Sequence, residues 1–326
     1  MAGALGTSRA RQPVVNAEQR RPSRQSPQER TAGMVDRGNR RATPVAKDRT
    51  ARETEGPTRE KPVVVKLGGR ALEAPGALRE FAASLARLPR VTLLVHGGGA
   101  EVTSWCSRLG IEARFDDGLR VTDAATLEVA TAVLAGLANK RLVAALRAQG
   151  VDAVGLAALD GGIVSAMPHP LAARLGAVGA IARVDASLLH ELLAHGRTPV
   201  VASIAADADG QLLNLNADDA AAALAAALGA RDLVLLSDTP GLKLDGAVVP
   251  SLAFADLKAT LARADVGGGM LPKLRAAGDA LAAGVERVHI AAWSGPDTLE
   301  SLLAGGGPGT TLAADTPAAV QENAHA

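Results

Sequence analysis

Short unbroken runs of valine, leucine, isoleucine and alanine recur along this chain, and several end in a glycine-bearing turn followed by a stretch of helical periodicity. Val63-Val64-Val65, Val91–Val95, Ala153–Leu156, Thr198–Ile204, Leu233–Leu236 and Val288–Ala291 are the clearest runs. A strand that is apolar at every position is covered on both faces, as in a parallel sheet flanked by helices. Leu78, Phe81, Leu85 and Leu88 follow the first run at helical spacing, and Val102, Trp105 and Leu109 follow the second. The alternation predicts an α/β chain, a three-layer αβα sandwich with a mainly parallel central sheet.

At 326 residues the chain is long enough for an ample core. Only three Phe and two Trp are present, with no Tyr, so the core is built from Ala, Val and Leu and suits closely packed helices. The same scarcity argues against a base-stacking platform, and no nucleic-acid partner is expected. Cys106 is the only cysteine, which rules out an internal disulfide and a cysteine-based zinc cage. Ala220–Leu228, the longest plain apolar run, is too short to span a bilayer. The expectation is a cytoplasmic protein without a membrane partner.

Charge is unevenly distributed. Residues 1–61 carry fourteen basic and seven acidic side chains, while the remainder is net acidic. This leader is rich in Arg, Gln, Pro, Ser and Thr without an apolar period, and disorder is expected there. A non-specific tail (or a start codon assigned too early), a basic contact arm and a transit-type leader all fit it; Glu18, Glu29 and Asp36 weaken the last. Residues 315–326 read as a frayed tail.

The polar residues that matter stand at strand ends and helix starts. Asn214-Leu215-Asn216-Ala217-Asp218 joins an extended segment to an alanine-rich helix, with Asn216 as N-cap and Asp218 in the first turn. Lys66 ends a buried strand, where a lysine needs a partner. Lys273 follows Gly267-Gly268-Gly269 at a helix start, where a cation opposes the dipole and points to an anion bound nearby. Asp218 is expected between the two ammonium groups. Gly68-Gly69 and Gly97-Gly98-Gly99 follow strands at the end where open α/β sheets bind ligands, and glycine lets backbone N–H groups approach anionic oxygens. Arg120 offers a planar fork for a carboxylate. Ordinary caps, tight turns and surface cations explain each feature singly; together they suggest phosphoryl transfer.

Several other sites are excluded by spacing. No stretch fits GxxxxGK[ST], and His96–Gly99 does not complete GxGxxG because residue 102 is Val. His190-Glu191 with His195 is one residue too widely spaced for a zinc helix and reads as a helix C-terminus. No metal-ligating residue set is assigned.

Taken in order, Lys66-Leu67-Gly68-Gly69, His96–Gly99, Gly118–Thr122, Gly136 with Asn139-Lys140, Asn214–Asp218, and Gly268-Gly269-Met270 with Lys273 resemble the amino-acid kinase family over residues 62 to 314. The resemblance implies the fold of that family and of carbamate kinase, and ATP-dependent phosphorylation of the γ-carboxylate of N-acetyl-L-glutamate, with magnesium, in arginine biosynthesis. It implies that Lys66 and Lys273 stabilise the transferring group, that Asp218 orients them, and that Gly68, Gly69, Gly98 and Gly99 supply backbone donors. It gives Arg120 and Asn214, with Gly98 and Gly99, to the acylated amino acid. Ser237, Asp238, Gly241, Gly268 and Gly269 line the nucleotide pocket by the same resemblance. Residues 62–213 then form a lobe for the acylated amino acid and phosphoryl group, and 214–314 a lobe for ATP.

Ala180 stands where many members carry Glu. Residues 1–61 lack the amphipathic stripe that links dimers of arginine-inhibited members into hexamers, so a homodimer insensitive to arginine is expected. Competing readings are a kinase for N-succinylglutamate or carrier-linked aminoadipate, or a non-catalytic sensing module of the same fold.

Overall fold

The computed structural model describes residues 61–68, 76–89, 91–116 and 119–313. The expectations for the leader, for Gly69, for Gly118 and for the C-terminal tail lie outside the described residues, apart from Lys61. Eight strands form one sheet in the edge-to-edge order Ser251–Ala253, Thr310–Ala313, Arg287–Ala292, Asp232–Ser237, Val63–Leu67, Thr92–His96, Thr198–Ala202, Ala153–Ala157. All neighbours pair in parallel except Arg287–Ala292 with Thr310–Ala313. The mainly parallel sheet and its central position among helices agree with the sequence reading.

Side-chain alternation sorts each strand between two cores. Val63, Val65 and Leu67 pack with Phe81, Leu85, Leu142, Leu146, Leu299 and Leu302, from helices Ala77–Arg87, Asn139–Arg147 and Thr298–Ala304. Val64 joins the opposite core with Leu189, Ala220, Ala221, Leu224, Leu274 and Ala277, from helices Ser187–Ala194, Ala217–Ala227 and Met270–Ala282. Lys66 alternates with Val65 and therefore faces this second layer. Small side chains let the Ala217–Ala227 and Met270–Ala282 helices approach closely, which brings their first turns together.

Two features depart from the simple alternation. The run Thr198–Ile204 is broken after Ala202, and Ile204–Ala206 enters a small closed barrel with Val164–Pro168, Val178–Val184 and Leu212–Leu215. Leu212–Leu215 leaves the barrel directly into the Ala217–Ala227 helix. The helix spanning Ala124–Arg147 is long and apolar enough to cross a membrane by length and composition, which the sequence reading did not single out. In the fold Val133, Leu134, Leu142 and Leu146 of this helix are buried.

At the strand ends opposite Lys66 and His96, fully buried Asp232 anchors three elements. Its Oδ1 accepts from Nε of Arg287 at 2.7 Å and lies 3.1 Å from Nε2 of His289, whose Nδ1 is 3.0 Å from the Thr311 hydroxyl. Burial alone would raise the Asp232 carboxyl, but hydrogen bonds from His289 and Arg287 outweigh it and hold it below its ordinary value. Asp232→Ala strands the arginine and should cost about 3–5 kcal/mol in denaturant unfolding. In the wild-type chain this contribution is present above pH 3.8, the carboxyl's ordinary pKa, and is lost as pH falls through the depressed folded value.

Candidate active site

The centre of the site is set by one helix cap. Oδ1 of Asn216 accepts from the N–H of Asp218 at 2.8 Å and of Asp219 at 3.4 Å, starting the Ala217–Ala227 helix as the sequence predicts. That cap aims the carboxylate of Asp218 at the end of the Val63–Leu67 strand. Nζ of Lys66 lies 2.6 Å from Oδ1 of Asp218, a close buried ion pair. Nζ of Lys273 donates to Oδ2 at 3.3 Å and to the Gly269 carbonyl at 3.4 Å. Lys66 and Asp218 are buried, and only 13% of the Lys273 side chain is exposed.

Two ammonium groups thus share one carboxylate. Burial would raise the Asp218 carboxyl, but Lys66 and then Lys273 overcome it and hold the acid ionised below its usual range. Burial also lowers the Lys66 ammonium; Asp218 opposes this, while Lys273 adds to it. The two shifts run against each other in stability because the acid has two partners and Lys66 has one. The cluster carries a net positive charge, which a bound anion would neutralise.

Lys66, Lys273, Gly97, Gly98, Gly99, Arg120, Asn214 and Asn216 line one cleft of about 350 Å³. Arg120 enters it from the Leu119–Arg120 strand. Its Nη2 donates to the Gly99 carbonyl at 2.7 Å and to the Thr103 hydroxyl at 2.6 Å, and its guanidinium carbon sits 4.7 Å from the Phe115 ring centroid. Nη1 is buried without a protein hydrogen-bond partner, so half of the fork is unsatisfied. Asn214, between Val178 and Ile204 in the barrel, donates from Nδ2 to the Thr122 hydroxyl at 3.3 Å. A Cβ on Gly98 would stand 2.7 Å from Cδ2 of Leu134, whose side chain would have to shift to admit it.

The residues expected to hold nucleotide do not line this cleft. Gly68 N–H donates to the Leu236 carbonyl at 2.7 Å and packs against Ser237, so these two adjoin the strand bearing Lys66. Asp238 is near enough for its charge to act on Lys66. Gly241 takes a positive φ against Thr310 and Gly309, and Gly269 touches Lys273 through its carbonyl. Gly268, exposed with φ of 54°, stands just before the Lys273 helix. Sequence reasoning missed Val102, Leu119, Ala130, Leu134, Val178 and Ser203 in the cleft wall. Ala180 lines a neighbouring cavity of about 430 Å³ beside Asn216 and Asp219.

Residues 61–292 match the profile of the amino acid kinase family. The chain is 46% identical over 245 residues to an acetylglutamate kinase of Koribacter versatilis, spanning 74% of this chain and 94% of that one. It is 44% identical over 239 residues to a chloroplastic acetylglutamate kinase of Arabidopsis thaliana, spanning 71% of this chain and 69% of that one. A crystal structure from Streptococcus mutans superposes with a TM-score of 0.66 at 27% identity, over 78% of this chain and 99% of the other.

Asp218→Asn removes the only carboxylate among the described residues that the two ammonium groups share. It should lower unfolding stability by about 3 kcal/mol or more. Adding Lys66→Met, which removes the stranded charge, should recover most of that loss in the same denaturation experiment.

Proposed function

The chain belongs to the amino acid kinase family, and from that membership we propose that it is an acetylglutamate kinase, transferring the γ-phosphoryl group of ATP to the γ-carboxylate of N-acetyl-L-glutamate. The observation that carries this reading is the convergence of Lys66 and Lys273 on Asp218 in a cleft that Arg120, with its unsatisfied Nη1, also lines. Its relatives of 44% and 46% identity bear the same activity in their names.

A γ-carboxylate has an ordinary pKa of about 4.3 and is ionised at neutral pH, so the nucleophile needs no general base. The obstacle is repulsion between two anions. Lys66 and Lys273 reduce it with fixed positive charge at the transferring group, and Asp218 keeps both in place without moving during the reaction. Gly98 and Gly99, with Gly69, offer N–H groups to phosphoryl oxygens, whereas the expected Gly68 N–H is already given to the Leu236 carbonyl. Nη1 of Arg120 takes the substrate's α-carboxylate, and the Asn214 carbonyl oxygen accepts from the acylamino N–H. Residues 62–213 hold the acylated amino acid and the phosphoryl group, and 214–314 hold ATP, with Ser237, Asp238, Gly241, Gly268 and Gly269 on the nucleotide.

Among the described residues no three His, Cys, Asp or Glu side chains converge on a metal-sized site, and Asp218 is already engaged by two cations. Magnesium would be carried by the phosphates of ATP and would supply charge neutralisation there when bound. The acetyl group is favoured over succinyl because, among the described residues, Lys66, Lys273 and Arg120 are the only cations on the cleft wall. A succinyl carboxylate would have no cation of its own. We read the enzyme as a cytoplasmic homodimer that works without nucleic acid or membrane and is not inhibited by arginine.

Release of ADP should be fast with N-acetyl-L-glutamate and slow or absent with N-succinylglutamate and aminoadipate; equal turnover with the succinyl compound would reassign the substrate. Lys66→Ala and Lys273→Ala should each lower kcat about a hundredfold or more with an unchanged far-UV spectrum. A second expectation concerns pH. Lys66 must be protonated to act and its pKa is lowered, so kcat/KM should fall along an alkaline limb below 10.5, the ordinary lysine value. A limb at or above 10.5 would place the essential lysine elsewhere.

A further inference from the structure

The Gly97–Gly99 turn is supported from behind by one irregular stretch of helix. Between Ala132 and Ala138 the long Ala124–Arg147 helix adopts π geometry, a form found mostly as single turns at functional sites. Leu134, inside that stretch, is the side chain that crowds Gly98. Asn139, the first residue beyond it, is fully buried. Its Nδ2 lies 2.9 Å from the Val200 carbonyl, 3.3 Å from the Leu156 carbonyl and 3.1 Å from Nε2 of His96. Its Oδ1 accepts from Nζ of Lys140 at 2.9 Å.

These contacts determine where the His96 proton sits. The Asn139 NH₂ has two hydrogens for three acceptors, the Leu156 carbonyl being the most distant, and its nitrogen can only donate, so the Nε2 of His96 that faces it carries no proton. The proton of the neutral ring is then on Nδ1, 2.9 Å from the Gly97 carbonyl oxygen, to which it donates. Burial and the nearby Lys140 charge both disfavour a second proton, against the pull of the Gly97 carbonyl. The Gly97 carbonyl and the Gly98 N–H belong to one planar trans peptide and point in opposite directions. Holding the carbonyl towards His96 therefore turns the Gly98 N–H away from it. That N–H donates to no backbone carbonyl among the described residues.

We propose that Asn139 is a positioning residue for phosphoryl transfer: by holding His96 as its Nδ1-protonated tautomer, it fixes the Gly97–Gly98 peptide so that the Gly98 N–H faces the cleft. The inference deepens the kinase reading and rests on it. The arrangement also accounts for Gly155, where any Cβ would overlap Oδ1 of Asn139 and displace the amide.

The test combines nitrogen-15 NMR of the histidine rings with steady-state kinetics. In the wild-type protein, His96 should show a protonated Nδ1 and an unprotonated Nε2, and should not titrate at the ordinary 6.5. Asn139→Ala should release the tautomer and lower kcat about tenfold or more, leaving KM for ATP and N-acetyl-L-glutamate within about twofold, since a donor aimed at the transition state is lost. Gly155→Ala, remote from the cleft, should cause the same kcat loss by pushing on Asn139. An Nε2-protonated His96 in the wild type overturns the proposal even if no variant folds. So does full kcat in a folded Asn139→Ala enzyme. A wild type with no turnover of N-acetyl-L-glutamate defeats the kinase reading instead, and the NMR result stays separate from it.

Discussion

One carboxylate shared by two ammonium groups sets the conditions for everything around it. Each charge of the Lys66–Asp218–Lys273 cluster is largely removed from water, and such charges persist only with close partners. The acid is doubly paired and stays ionised; Lys66 is paired with Asp218 alone, is aided by the more distant Asp238 charge, and sits beside another cation. The imbalance is chemically useful. A site with two cations per acid is least comfortable empty and becomes neutral when a phosphoryl group arrives. Removing the acid would leave repulsion, and adding a second acid would cancel the attraction for phosphate.

The fold meets this demand by bringing one strand end and two helix starts to a point. Lys66 comes from the central strand, Asp218 from the first turn of one alanine-rich helix, and Lys273 from the first turn of the helix packed against it. Larger side chains at Ala220, Ala221, Ala276 or Ala277 would push those helices apart. The small core residues and the charged cluster are thus one design: close helix packing is what lets a short carboxylate reach two lysines.

Much of this was legible before any coordinates. A lysine inside an apolar run, a cap at Asn216 and an acid two residues later are local signals, and local hydrogen bonds realise them. The alternation of strands and helices likewise specified the layers. The small barrel was not legible, because its strands are short and partly exposed: Val178–Val184 mixes buried and exposed positions, and Ile204–Ala206 continues an apolar run read as one strand. Nor was the role of Asn139, whose partners His96, Leu156 and Val200 are 43, 17 and 61 residues away. The π-turn that delivers it leaves no periodicity of its own in seven residues. Arg120 could be recognised as a carboxylate fork, but its seating on Gly99 and Thr103 depends on tertiary contacts alone.

The division of cations in the cleft follows from what each must do. A carboxylate that stays bound throughout turnover can be held by a rigid planar fork, and Arg120 is braced for that by Gly99, Thr103 and the Phe115 ring, with Nη1 left over. The transferring group moves between two oxygens and spreads its charge as it goes. On the proposed reading the two ammonium groups, held by Asp218, present fixed positive charge along that path. The proposed kinase reading thus gives the held pair of lysines to the transferring group and the braced Arg120 to the anchored carboxylate.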